Sequence, residues 1–359
     1  MSNRLTVLAG PKALEKIRAE GLRPEMITVL AGAAGGPKWL VLNRIDRALF
    51  QTWFKGRTQP LFCLGSSIGA WRFTAAAQED PLAAVERFEH AYIHQTYTEK
   101  PTRDEIAGET ERILDSLLGQ NGAREILNHP FLRVNMLSVR CLGPTASENK
   151  LVLGLGFLCA YVLNSLGRVN LKYLFERTLF HDPREKPPFF DMTEFPIQRV
   201  PLTADNYRQA LLATSAIPLV MAGAPGVDGA RPGMYRDGGV IDYHLDVPFQ
   251  DGDGLTLFPH FSGRVIPGWL DKNIKSRQPS VRNMDSVVLV APSRAFIADL
   301  PSGKVPDRED FTRFKGLDNQ RISTWKTVVE KCEPLGEDFL ELCAGGKIKE
   351  LVRPLFPKK

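Results

Sequence analysis

The chain has 359 residues, 43% hydrophobic and 24% charged, proportions that exclude a disordered, collagenous or coiled-coil protein and suffice for a large core. Its 46 basic and 41 acidic residues leave a net charge of +5, too small and scattered for a nucleic-acid binder yet compatible with weak attraction to an anionic lipid surface. Cys63, Cys141, Cys159, Cys332 and Cys343 are odd in number and form no C-x-x-C pair, so neither a disulfide framework nor a zinc site is indicated, and a cytoplasmic location is expected.

Met1 to Gly10 lacks the order of basic, apolar and small residues that marks a signal peptide. Lys12 to Glu20 reads as a charged amphipathic helix. Met26 to Ala31 is the first convincing buried strand. It runs into a small-residue loop, Gly32 to Gly36, and then into a helix from Pro37, where a missing N–H costs nothing. Trp39, Leu42, Ile45, Leu49, Phe50 and Trp53 recur every three or four residues and predict one apolar face for that helix. A second strand, Pro60 to Leu64, breaks at another tight turn into a helix from Ile68 to about Ala77. Helices near Leu82 to Tyr97 and Asp104 to Leu118 precede a third strand at Leu132 to Cys141. Strands alternating with helices in this way predict an α/β protein, a three-layer α/β/α fold with a mostly parallel central sheet and its site at the carboxyl ends of the strands.

Leu151 to Leu163 is an uncharged apolar run too short to span a bilayer. It reads either as buried core or as a lid or interfacial helix that touches lipid. A helix from Asp205 to Ala213 stops at Ser215-Ala216-Ile217-Pro218, because proline cannot continue it. Strands near Leu255 to Pro259 and Ser286 to Val290 follow, then helices near Ser323 to Lys331 and Glu337 to Leu342. Asp182 to Pro188 and Lys272 to Asp285 have linker composition. The expected organisation is a single domain, residues 1–359, with a motif-bearing core at about 26–247 and a carboxy-terminal α/β extension from about 254.

Gly65-Ser66-Ser67-Ile68-Gly69 matches G-x-S-x-G between an apolar strand and a helix. Its glycines permit a strained turn that projects the Ser67 hydroxyl at the strand's carboxyl edge, where the helix amino terminus favours negative charge. A glycine-rich phosphate-binding turn is the alternative. Gly32-Ala33-Ala34-Gly35-Gly36-Pro37-Lys38, on the preceding strand-to-helix turn, exposes amides that an oxyanion could occupy, together with the amide of Ile68. It lacks the G-x-G-x-x-G spacing of a dinucleotide loop. Asp237-Gly238-Gly239, taken alone, is a hairpin turn.

Gly35-Gly36-Pro37-Lys38, Gly65-Ser66-Ser67-Ile68-Gly69, Ala213-Thr214-Ser215-Ala216-Ile217-Pro218 and Asp237-Gly238-Gly239, in this order, resemble the patatin-like phospholipase family over about Met26 to Val247. The resemblance implies a hydrolase of lipid carboxylic esters, phospholipid or lysophospholipid, that needs neither metal nor organic cofactor and makes transient contact with a membrane surface. It implies Ser67 as nucleophile and Asp237 as its base, without a histidine, with Gly35, Gly36, Lys38 and Ile68 at the oxyanion hole. Ala34 and Trp39 stand where that family's loop has its first and last glycines.

Three other readings remain open on the sequence. A Ser-His-Asp esterase would pair Ser67 and Asp237 with His244 or His260. A lipid-binding protein would keep the fold without turnover, and a nucleotide-binding module would use the same glycine loops. Asp242, His244 and Asp246 alternate, so on a strand they would share one face, either as a polar strand end or as an arrangement a metal could use.

Overall fold

The computed structural model describes residues 4–250 and 252–357; residues 1–3 of the stretch read against a signal peptide lie outside the described residues. Its strands are β1 (Leu5–Ala9), β2 (Ile27–Gly32), β3 (Leu61–Ser66), β4 (Leu132–Cys141), β5 (Phe175–His181), β6 (Ile197–Pro201), β7 (Met234–Asp237), β8 (Leu255–Pro259), β9 (Val287–Pro292) and β10 (Arg353–Pro354). The helices before β5 are α1 (Pro11–Glu20), α2 (Asn43–Ala48), α3 (Ile68–Ala76), α4 (Pro81–Ile93), α5 (Arg103–Leu118), α6 (Gly122–Asn128) and α7 (Lys150–Leu166). After it come α8 (Tyr207–Ser215), α9 (Val281–Met284), α10 (Arg294–Ala298), α11 (Glu309–Arg313), α12 (Asp318–Lys331), α13 (Glu333–Ala344) and α14 (Ile348–Leu351).

All ten strands join one sheet in the order β10-β1-β9-β8-β2-β3-β4-β5-β6, with β7 paired to β4. Six of the nine pairings are parallel; β1 with β9, β4 with β5 and β4 with β7 are antiparallel. Every residue of β8 and β9 is buried, as an apolar run must be when helices cover both faces of a sheet. The fold is therefore a three-layer α/β/α arrangement with a mostly parallel sheet. The loops that follow β2 and β3 leave from the carboxyl ends of adjacent parallel strands, which brings the two glycine-rich turns side by side.

Several sequence expectations change. The segment after Gly254 supplies β8 and β9, interior strands between β2 and β1, so it is built into the main sheet. The helix expected from Pro37 is a tight 3-10 stretch, Gly36–Leu42, before the short α2. Trp39, Leu40, Val41 and Leu42 are all buried, so no single apolar face is selected there. The sequence pattern does not mark β1, β5, β6, β7 or β10. β5 hides its pattern behind Glu176 and Arg177, both buried, with Arg177 held by Asp242 at 2.6 and 2.8 Å. Both stretches of linker composition are anchored: Asp182 is buried and binds Arg184 at 2.6 Å, and Arg277 donates to the Asn164 carbonyl at 2.7 Å.

Candidate active site

Ser67 stands between β3 and α3 with φ 53° and ψ −125°, a conformation that costs a non-glycine residue about 1–3 kcal/mol. The turn is this tight because its glycines have no room for a side chain. A Cβ on Gly65 would lie 2.4 Å from the Ala70 nitrogen, and one on Gly69 would lie 2.0 Å from the Gly32 oxygen. The Ser67 amide donates to Thr214 Oγ1 at 2.9 Å, and that hydroxyl donates to the Leu137 carbonyl at 2.5 Å. Thr214 thus pins the turn to β4.

Asp237 ends β7 opposite Ser138 of β4. Its amide donates to the Ala216 carbonyl at 2.9 Å, its Oδ1 accepts from the Gly239 amide at 2.7 Å, and its Oδ2 accepts from Ser67 Oγ at 2.7 Å. Gly238 is required for this approach, since its Cβ would fall 2.0 Å from the Leu137 oxygen. Burial pushes the Asp237 carboxyl above its ordinary pKa; the charge of Arg308, then the Ser67 and Gly239 hydrogen bonds and Lys272, pull it back. The bond from Ser67 therefore goes to a carboxylate of raised basicity.

Around Ser67 the backbone offers donors. Among the described residues the amides of Gly35, Gly36 and Ile68 have no acceptor, whereas that of Ala34 is taken by the Tyr243 carbonyl at 2.9 Å. Gly36 needs its lack of a side chain, having φ +56° with Arg308 Nε only 3.2 Å from where a Cβ would sit. The Lys38 side chain has its Nζ 3.4 Å from Tyr243 Oη and 4.8 Å above the Phe261 ring centre. Burial lowers its pKa.

Two cavities meet at the pair. One, of about 340 Å³, runs from Ser67, Ile68 and Gly36 past Trp71 to Ile106 and Ile113 of α5, and its walls are mainly apolar. The other, of about 410 Å³, holds Asp237, Gly35, Lys38, Tyr243, Lys272 and Arg308. Ile217 and Arg308 line both. Asp307, also on the polar side, is already bound by Lys304 at 3.0 Å. Trp39 lines neither cavity; it stacks on Phe88 with ring centres 4.5 Å apart and is folded into the core.

Asp242, His244 and Asp246 are not on a strand. All three are buried and each has its own partner: Asp242 binds Arg177, His244 Nδ1 accepts the Ile266 amide at 2.9 Å, and Asp246 accepts the Ser280 amide at 3.1 Å. That dispersal corrects the expectation of one shared polar face. His260 Nδ1 is engaged with Ser262, and the side-chain partner of Ser67 Oγ is Asp237 alone among the described residues, so no histidine stands between them. Arg308, Lys272 and Tyr243 were not anticipated. No motif surrounds them, and only the fold brings 272 and 308 to the turns at 34–38, 65–69 and 237–239. Thr214 and Ala216 lie in a stretch the sequence did single out, and their role as braces of the two central residues explains it.

No protein-family model matches the chain, and no curated protein matches it. Among solved structures it is similar to VipD from Legionella pneumophila at 12% identity and a TM-score of 0.32, covering 65% of this chain and 50% of that one. It is also similar to human GIVD cytosolic phospholipase A2 at 12% identity and a TM-score of 0.44, covering 95% of this chain and 62% of that one. The chain thus spans half of the first protein's length and under two thirds of the second's. The chemistry of the site rests on the chain's own geometry.

Proposed function

We propose that the protein is a serine acyl hydrolase of patatin-like type acting on lipid carboxylic esters, phospholipid or lysophospholipid. The observation that carries this reading is the 2.7 Å hydrogen bond from Ser67 Oγ, on its strained turn, to Asp237 Oδ2. As Ser67 Oγ attacks the ester carbonyl, its proton passes to Asp237, which burial has made more basic than an exposed aspartate. The oxyanion of the tetrahedral intermediate is held by the free amides of Gly35, Gly36 and Ile68; one such donor is typically worth about 2.7–4 kcal/mol of barrier. Collapse expels the alcohol, which takes the proton from Asp237, and leaves the acyl group on Ser67. Water, deprotonated by Asp237, then releases the fatty acid and restores the serine.

The apolar cavity takes the acyl chain, and the cavity with Lys38, Lys272 and Arg308 takes the head-group side of the ester. No cofactor enters any step. Cytoplasmic location with peripheral membrane contact completes the reading. The test is fatty-acid release from lysophospholipid micelles. Ser67→Ala and Asp237→Asn should each lose about a thousandfold in kcat/KM or more, while His244→Asn and His260→Asn retain turnover; loss through a histidine with Asp237→Asn active would replace this mechanism.

A further inference from the structure

No helix among the described residues is long and apolar enough to cross a membrane, yet α7 carries apolar residues around its whole circumference. Its inner side packs down: Leu153, Phe157 and Ala160 are buried, and Gly156 lies so close to the Pro144 backbone that a Cβ would sit 2.9 Å away. Its outer side is also apolar. Leu151 is 80% exposed, Leu155 66%, Leu158 60% and Leu166 78%, and no outward residue from Leu151 to Leu166 is charged. A helix that is apolar all round belongs in a protein core or in lipid, and a contiguous exposed patch of this kind marks an interaction surface. The 17-residue length suits a helix lying in the plane of an interface.

Two further observations identify the occupant. Both ends of α7 are tied to segments that line the site. Glu148, just before it, accepts the Gly223 amide at 3.2 Å beside Val220 and Met221 of the apolar cavity. Toward its other end Asn164 donates to Asp271 at 2.7 Å, next to Trp269 and Lys272 of the polar cavity. The flanks are also basic: Lys150 opens the helix, Lys172 follows it, and Lys272 and Lys275 lie on the segment bound to Asn164. Among the described residues none of the four has a carboxylate within 4.0 Å. An apolar face with a basic rim, continuous with the mouth of a site, matches an anionic lipid surface, where the face enters the acyl boundary and the lysines meet head groups.

We propose that the outer face of α7 is the surface by which the protein lies on an anionic lipid bilayer, presenting both cavities to it. The inference deepens the hydrolase reading by naming its membrane contact, but binding can be read without turnover. The experiment is co-sedimentation with phosphatidylcholine vesicles containing about a quarter phosphatidylglycerol, combined with an environment-sensitive fluorophore on Cys159, the exposed cysteine of this helix. Wild type and Ser67→Ala should bind alike, so that a failed hydrolase assay leaves this result standing. Leu155→Glu with Leu158→Glu should weaken partition by about tenfold or more, with thermal unfolding unchanged. Leu82→Glu, an exposed leucine on α4, should bind as wild type. The label should shift to the blue on vesicles. Equal partition of the double variant and wild type, or a label whose emission is unmoved by vesicles, would overturn the proposal. So would a wild-type dimer in light scattering that the double variant dissociates, because the occupant would then be a second copy of the chain.

Discussion

Ser67 Oγ donates to Asp237 Oδ2 at 2.7 Å across 170 residues of chain, and neither group reaches the other without help. Thr214 holds the serine turn against β4, while the Ala216 carbonyl, two residues on, holds the Asp237 amide. One short segment, Thr214 to Ala216, therefore sets the distance between the two. Thr214→Val, which keeps the shape and removes both hydrogen bonds, should lower kcat by about tenfold or more with little change in KM, because a small misplacement of reacting groups is costly. Steady-state kinetics on a short-chain ester reads this directly.

The strain at Ser67 gives a stability prediction of opposite sign. Glycine adopts its backbone geometry freely, so Ser67→Gly should abolish turnover and stabilise the fold by about 1 kcal/mol, the relief of strain less the extra entropy of an unfolded glycine. Urea denaturation of the two proteins measures it. A destabilised variant would mean that the hydroxyl's bond to Asp237 outweighs the strain.

Arg308 is the largest charge opposing the upward shift of the Asp237 carboxyl. The base must be ionised to work, so activity rises with pH through its pKa. Arg308→Gln removes the opposing charge, raises that pKa further, and should move the acid limb of kcat/KM toward higher pH. A pH–rate profile that keeps its acid limb in place would show that Arg308 does not act through Asp237.

The apolar cavity ends on α5, where Thr110 and Ile113 face it. Filling that end with Thr110→Trp should shift the preferred acyl chain to shorter lengths, with KM for long-chain esters rising at least about tenfold relative to short ones. A series of p-nitrophenyl esters tests this.

His244 and His260 are buried and neutral; burial takes His244 well below its ordinary pKa and His260 down to about 3. The unfolded chain protonates both near pH 6.5. Below that value the unfolded state binds protons that the native state refuses, so both histidines remove stability as pH falls below about 6.5, His260 down to about 3. His260→Asn should flatten the decline in urea midpoint between about pH 7 and 5, whatever it does to the midpoint itself.

The glycine turns of the candidate site leave a plainer mark in the sequence than several strands of the sheet do. The turns at Gly35-Gly36 and Gly65 to Gly69 are legible because steric demands on a tight approach admit only glycine, whereas Asp237-Gly238-Gly239 alone reads as a hairpin and stands out only by its order after the other motifs; that Gly238 must pass the Leu137 carbonyl is visible only in the fold. β5 was illegible because Arg177 and Asp242 neutralise each other inside the protein, and a buried ion pair looks like surface in one dimension. Arg308 and Lys272 were illegible for another reason. Each stands in an ordinary charged stretch, and only the insertion of β8 and β9 between β2 and β1 carries that part of the chain to the site. The apolar run at 151–163 is too short to span a bilayer by its length alone, but its division into a packed side and an open side depends on what Gly156 sits against.

The most direct test of the account is intact-mass spectrometry after exposure to a fluorophosphonate, which reports an activated serine without any choice of substrate. Wild type should gain one adduct, Ser67→Ala none, and Asp237→Asn the same adduct far more slowly. A folded wild type that stays unmodified, or an adduct that persists in Ser67→Ala, would contradict the assignment of Ser67 and Asp237 as a catalytic pair.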